Sequence, residues 1–210
     1  MEEQLLDPTL LRPLLSLLLS ALIVMGSPGP STISVTATGS AFGFRRSVPY
    51  VAGLIAGTTT VLLAVAAGLM SILLSRPQLS SLFVGLSAAY IVYLAYKIAV
   101  APPPSRVDAK GDAPTFPGGF LLAVANPKAY VAIAAVFAGT RLGFNSELSE
   151  ALAKSLALAA MIIAIHLAWL LAGAMFSRLL YQPAISRVVN LAFAAVLVVS
   201  TFMAIKPIST

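Results

Sequence analysis

Six long apolar stretches set the fold class of this chain. They cover about residues 10–38, 47–75, 79–100, 118–140, 152–181 and 184–206. A membrane-spanning helix needs roughly 20 mostly apolar residues, and each stretch reaches that length. Only 10% of the residues are charged and 59% are hydrophobic, whereas a soluble domain carries about a quarter charged residues. The sequence therefore predicts an all-α integral membrane protein with six transmembrane helices.

The first apolar stretch does not have the pattern of a cleaved signal peptide. Its leader is acidic, with Glu2, Glu3 and Asp7, and the apolar run continues to about Thr38. A signal peptide has a basic leader and a shorter apolar core. We therefore expect this stretch to be retained as the first transmembrane helix.

A charged, proline-rich segment divides the chain into two halves. It reads APPPSRVDAKGDAPTFP and covers residues 101–117, which separates three helices in residues 1–100 from three in residues 118–210. Halves with an odd number of helices enter the membrane from opposite sides. The sequence thus predicts two inverted three-helix repeats, related by a pseudo-two-fold axis in the membrane plane. The distribution of Lys and Arg near the helix ends favours both termini outside.

Proline-containing motifs interrupt helices one and four. The first motif is MGSPGPST at residues 25–32, and the second is AVANPKAY at residues 123–130. Proline has no N–H, so each proline leaves a carbonyl group of the preceding turn without its helical donor. Irregular backbone at membrane depth is tolerated only where protein or a water-filled cavity covers it. Corresponding interruptions in two inverted halves indicate a transporter binding site.

Both motifs also have the pattern of a helix start. Ser27 before Pro28, and Asn126 before Pro127, match an N-cap residue followed by proline at the first helical position. A helix N-terminus carries about half a positive charge and unpaired N–H donors, so it favours a carboxylate. Two such N-termini inside the membrane would form an anion site. Kinked but continuous helices are the alternative.

Two basic side chains lie well inside apolar stretches. Lys128 is near the centre of its stretch, where burial of a charge costs at least a few kcal/mol. We interpret it as a substrate-binding or coupling residue, with satisfaction of the freed carbonyl groups as the alternative. His166 is the only histidine. It is a second candidate for proton coupling, and a hydrogen bond to a neighbouring helix is the simpler interpretation.

Hydroxyl groups follow the first break, and glycine pairs lie farther along the chain. Ser31 and Thr32 could line a cavity and bind an ammonium or carboxylate group, although such hydroxyls often bond their own backbone. Two GxxxG pairs predict close helix packing. These are Gly39 with Gly43 and Gly53 with Gly57.

Several classes of function are disfavoured. The chain has no cysteine, and none of its seven carboxylates falls inside an apolar stretch, so we expect neither a metal site nor a cofactor. No phosphate-binding loop, dinucleotide motif or nucleophile elbow is present, and the chain is not predicted to be an enzyme. The net charge of +6 comes from basic residues at helix ends. Lipid headgroups explain it more simply than nucleic acid does.

The motifs together resemble those of the LysE/RhtB family of lysine exporters and homoserine/threonine resistance proteins. The resemblance rests on SPGP, GFRRSVPYVAGLIAG, GLSAAYIVYLAYK and FPGGFLLAVANPKAY, which come in the family's order and cover roughly residues 14–140. It implies a six-helix secondary transporter that exports amino acids or related small zwitterions, coupled to the proton gradient as an antiporter. It also implies a prokaryotic inner-membrane location. A homo-oligomer is left open.

The resemblance and the helix starts give one set of predicted substrate-binding residues. We expect the substrate carboxylate between the two helix N-termini and Lys128, and the ammonium group on freed carbonyls and hydroxyls. The alternatives are a heavy-metal cation exporter of the same superfamily and a non-transporting membrane scaffold subunit. The predicted residues are Pro28, Gly29, Pro30, Ser31, Thr32, Asn126, Pro127 and Lys128, with Lys128 and His166 as coupling candidates.

Overall fold

The computed structural model of the chain describes residues 8–68 and 114–180, together with isolated positions between 72 and 100 and between 184 and 199. The predicted third and sixth apolar stretches and the 101–117 linker lie largely outside the described residues. The continuous ranges form helices and no strand, as predicted for an all-α chain. The helices are α1 (Pro8–Val24), α2 (Pro30–Ala66), α3 (Phe116–Val124), α4 (Pro127–Gly139) and α5 (Glu147–Leu180).

Three parts of the described chain are suited to crossing a membrane. Helix α2 and the Glu147–Met175 part of α5 are each long and apolar enough to do so, and α3 with α4 forms a third candidate span that is bent by 61°. Large apolar side chains point outward along α1 and α5, where lipid chains would contact them. They include Leu11, Leu15, Leu19, Leu152 and Leu156.

Helix α2 joins the first two predicted spans across a kink at Gly43. The gap between the first two predicted stretches, residues 38–47, predicts a loop, FGFRRS, and this is wrong, because helical hydrogen bonding resumes immediately after Gly43, which has φ 73° and ψ 174°. Glycine adopts this positive φ without strain. Among the described residues, a Cβ at Gly43 would meet no atom within 4 Å, which contradicts the close helix packing predicted for it within that part of the chain. Gly43 divides α2 into a first arm before it and a second arm after it. The second arm ends at Ala66, before the expected residue 75, and Gly68 follows with φ 88°.

Both predicted interruptions are confirmed, and each separates two distinct helices. Residues 25–29 separate α1 from α2, and Ala125 with Asn126 separates α3 from α4. Helix α4 begins as expected, with Asn126 as N-cap and Pro127 at the first position. Helix α2 instead begins at Pro30 with Gly29 as N-cap, so the predicted Ser27 cap is wrong. The reason is that the residue before a proline is excluded from helical geometry, and Gly29 is extended (φ −171°).

Small residues bring the helices into backbone contact. A Cβ at Gly53 would lie 2.0 Å from the Phe116 carbonyl oxygen, and one at Gly119 would lie 2.1 Å from the Tyr50 carbonyl oxygen. Gly57 faces Ala123 and Phe120 in the same way. The close packing predicted for Gly53 and Gly57 is therefore confirmed, and their partner is α3, the helix that leads into the second break.

Two apolar clusters fix the remaining helices around α2. One cluster joins α1, the second arm of α2, α4 and α5 through buried residues that include Leu17, Leu62, Ile133 and Leu158. The other joins both arms of α2 with α3 and α5. Gly39 adds to the second contact, because a Cβ there would be 2.8 Å from the Leu170 carbonyl oxygen. Packing against α2 therefore holds the helices on both sides of each break in place.

A carboxylate at the start of α5 organises the loop that follows α4. Glu150 accepts the backbone N–H groups of Leu142 (2.7 Å), Gly143 and Phe144 (3.1 Å each). It also forms a 3.1 Å ion pair with Lys154, whose ammonium donates to the Phe137 carbonyl at 3.1 Å. Lys154 is only 5% exposed, and Glu150 is its ion-pair partner among the described residues.

Replacing Glu150 with alanine is expected to destabilise the protein by about 3 kcal/mol, since loss of one partner leaves a buried, unpaired charge. Glu147→Ala removes an exposed carboxylate from the same helical turn and should change stability by less than about 0.5 kcal/mol. Thermal unfolding of the two variants in detergent measures the difference. Equal unfolding midpoints would contradict the assigned role of Glu150.

Candidate functional site

The N-termini of α2 and α4 meet at a buried side-chain hydrogen bond. Asn126, 4% exposed, caps α4 by accepting the Lys128 N–H at 3.1 Å through its Oδ1 atom. Its Nδ2 group donates to the Ser31 hydroxyl of α2 at 3.0 Å. One amide side chain therefore connects the two helix starts that the sequence predicts as a pair.

Lys128 crosses from α4 to the first break. Its ammonium donates to the Ser27 carbonyl at 2.5 Å, the Ser27 hydroxyl at 2.8 Å and the Pro28 carbonyl at 3.0 Å. Three acceptors thus match the three donors of an ammonium group. The absence of a side chain at Gly29 makes room for this crossing, because a Cβ there would lie 2.6 Å from the lysine Cδ.

The carbonyl groups that the prolines free find other donors. The Ser27 hydroxyl donates to the Val24 carbonyl at 2.8 Å, and the indole N–H of Trp169 donates to the Gly26 carbonyl at 3.1 Å. In the second break the Asn126 N–H bonds the Ala123 carbonyl at 3.2 Å. The oxygens left for Lys128 are therefore those of Ser27 and Pro28, within the break itself.

A small cavity lies where the two breaks meet. Its volume of about 40 Å³ is large enough to hold water. Met25, Ala132 and Ile133 supply apolar wall. Among the described residues, no group of three or more His, Asp or Glu side chains could hold a metal ion. Five of the eight predicted substrate-binding residues line the cavity, namely Gly29, Ser31, Thr32, Asn126 and Lys128.

The other predicted site residues lie outside the cavity lining. Pro30 and Pro127 occupy the first positions of their helices, and Pro28 contributes its carbonyl oxygen to Lys128. His166 is 4% exposed, and its Nδ1 donates to the Ile162 carbonyl at 2.7 Å. Its Nε2 has no hydrogen-bond partner in the described part of the chain. The two coupling candidates therefore do not line one common cavity.

Hydroxyl groups near the first break serve the backbone as well as the cavity. Thr32 accepts the Gly29 N–H at 2.8 Å and so caps its own helix. Thr36 donates to the Thr32 carbonyl at 2.8 Å. Ser31 both lines the cavity and accepts from Asn126. Thr32 therefore lines the cavity and also bonds its own backbone, while binding of substrate by these hydroxyls stays a prediction.

Two residues near the breaks are not among those predicted from the sequence. Thr58 lines the cavity, and Trp169 supplies a donor to the first break. Trp169 carries a signal, because it is the only tryptophan of the chain and a buried indole N–H usually finds a partner. Thr58 follows Gly57, which packs on α3. The sequence does not show which helix Gly57 contacts, and so it does not place Thr58 in the cavity.

Comparison with known proteins adds to this geometry. The sequence matches the family described as LysE type translocator over residues 22–206. The chain belongs to this family. Membership confirms the LysE resemblance and extends it beyond residue 140. It marks the chain as a membrane translocator rather than an enzyme.

Two similar proteins are cysteine/O-acetylserine efflux proteins. The cysteine/O-acetylserine efflux proteins of Escherichia coli (strain K12) and Shigella flexneri (serotype 5b) are each 32% identical to this LysE translocator over 178 residues. Each alignment covers 84% of this chain and 89% of the relative. No solved structure matches the chain.

Proposed function

We propose that this LysE type translocator exports small amino acids or related zwitterions by alternating access. The observation that carries the proposal is the bonding of the Lys128 ammonium to the Ser27 and Pro28 carbonyls of the other break. The relatives' names mention cysteine and O-acetylserine, which are both small zwitterions with a polar side chain. Such a solute carries one carboxylate and one ammonium group. The carboxylate could pair with Lys128, and the ammonium could bond the carbonyls of the first break.

Binding would proceed by an exchange of charge partners. The carboxylate of an entering amino acid pairs with the Lys128 ammonium, while the substrate ammonium takes the break carbonyls that Lys128 leaves. Each buried charge keeps a partner throughout, which avoids the large cost of an isolated charge. Because Lys128 occupies the Ser27 and Pro28 carbonyls in the present structure, it must leave them before the substrate ammonium can bind there.

The two helix starts would belong to two inverted three-helix repeats, in residues 1–100 and 118–210, joined by the 101–117 linker. In support, α2 and α4 each begin with proline after a break and are joined by Asn126 and Ser31. Rocking of one repeat against the other would expose the junction to alternate sides. Breaking the Lys128 contacts on substrate entry would remove one of the links between the two repeats.

The proton gradient is the proposed driving force, with the protein in a prokaryotic inner membrane and both termini outside. Lys128 and His166 are the candidates to carry the proton, since the seven carboxylates lie outside the apolar stretches. Lys128 bonds the break directly. His166 has a buried Nε2 without a partner among the described residues, and this atom is free to accept a proton.

The direct test is uptake of labelled amino acids by proteoliposomes, with and without an imposed pH gradient. We expect uptake of cysteine, serine and similarly small amino acids, stimulated by the gradient, and little uptake of large aromatic ones. Gradient-independent uptake would remove the proton coupling but keep the transporter. No uptake of any amino acid by folded, inserted protein would overturn the proposal.

A further inference from the structure

One hydroxyl group in the cavity lacks a hydrogen-bond partner. Thr58, in the second arm of α2, is 6% exposed and lines the cavity beside Lys128 and Asn126. Its Oγ1 atom bonds no other group within the part of the chain that the structure describes. Burying a hydroxyl without a partner is unfavourable, so such an atom calls for an explanation.

Other hydroxyls in this helix satisfy themselves locally. A helical threonine commonly donates to a carbonyl three or four residues earlier. Thr60, two positions along the same helix, donates to the Ala56 carbonyl at 2.9 Å, and Thr36 donates to the Thr32 carbonyl at 2.8 Å. Thr58 makes no such bond. Its hydroxyl therefore keeps both its donor and its acceptor capacity for something in the cavity.

The neighbouring polar groups of the cavity are already engaged. The Ser31 hydroxyl accepts from Asn126, and the Thr32 hydroxyl accepts from the Gly29 N–H. Lys128 is bonded to the first break. The wall near Thr58 otherwise includes Met25, Ala132 and Ile133. A polar atom entering this apolar part of the cavity would have the Thr58 hydroxyl as its partner.

We propose that Thr58 is a specificity-determining residue that hydrogen-bonds a polar atom on the side chain of the transported amino acid. The inference rests on the proposed function. Lys128 and the break carbonyls bind the carboxylate and ammonium groups, which every amino acid shares, and so cannot distinguish substrates. Thr58 can, because it favours a hydroxyl, thiol or ester oxygen over a methyl group of similar size.

The test compares pairs of amino acids that differ in one polar atom, using the full-length protein in proteoliposomes. Serine is paired with alanine, and cysteine with 2-aminobutyrate. Thr58→Val keeps the side-chain shape but removes the hydroxyl. We expect it to raise the half-saturation concentrations for serine and cysteine by about 3- to 10-fold, the usual effect of one neutral hydrogen bond. Those for alanine and 2-aminobutyrate should change by less than about twofold.

Two further variants separate recognition from structure. Thr58→Ser restores a hydroxyl and should recover the preference for serine over alanine, while Thr60→Val, on the same helix, should leave it unchanged. An equal change for both members of each pair, or no change at all, would overturn the inference while transport itself remains. If the unmodified protein transports none of the four amino acids, the proposed function fails, and the inference fails with it.

Discussion

Replacing Lys128 with methionine is expected to lower amino-acid transport by about 100-fold or more while the protein remains folded. Loss of even two of the three charge-assisted hydrogen bonds of this ammonium corresponds to an effect of that size. Methionine keeps an unbranched apolar stem in the space beside Gly29 but has no donor. The Ser27 and Pro28 carbonyls would then lose the ammonium that bonds them in the present structure. The substrate carboxylate would lose its predicted cation.

Transport is measured as initial uptake into proteoliposomes, normalised to reconstituted protein with the unmodified elution profile in size-exclusion chromatography. The control is Arg141→Met, which removes an exposed cation just after α4. It should keep at least half of the unmodified rate, roughly the tolerance of an ordinary surface substitution. Transport by Lys128→Met at the control rate would contradict the central role of Lys128. Loss in both variants would indicate a general effect of charge on insertion.

The sequence predicts the two breaks because their causes are local. Proline removes a donor wherever it occurs, and Asn126 before Pro127 is a sufficient signal for the start of α4. Local chemistry also explains why α2 begins at Pro30 and not at Pro28. Two prolines compete there for the first helical position, and Pro30 prevails because it forces Gly29 out of helical geometry.

The partners of the site residues are not predictable in the same way, because they come from distant parts of the chain. Trp169 bonds Gly26 across 143 positions, and Lys128 bonds Ser27 across 101. Local rules state that a freed carbonyl or a buried ammonium needs a partner, but they do not say which one. Thr58 illustrates the limit, since only the packing of α2 on α3 and α4 places it in the cavity.

Replacing Gly53 with alanine is expected to destabilise the protein by about 3 kcal/mol, near the upper end for overpacking. The added Cβ would lie 2.0 Å from the Phe116 carbonyl oxygen and 3.0 Å from the Phe120 nitrogen. Both are backbone atoms of α3, which cannot move aside as a flexible side chain would. Helix α3 must therefore shift as a body, and because it leads into Asn126, transport should fall together with stability.

Thermal unfolding in detergent should show a drop of about 10 °C for Gly53→Ala, given about 2–4 °C per kcal/mol for a chain of this size. The matched control is Gly139→Ala at the end of α4, where a Cβ would meet no atom of the described residues within 4 Å. Alanine has the higher helix propensity, so this variant should be as stable as the unmodified protein or slightly more stable. An unchanged midpoint for Gly53→Ala would mean that α2 and α3 are farther apart in the membrane than the glycine contact requires. Equal losses in both variants would show that the backbone freedom of glycine, rather than close helix packing, is what these positions need.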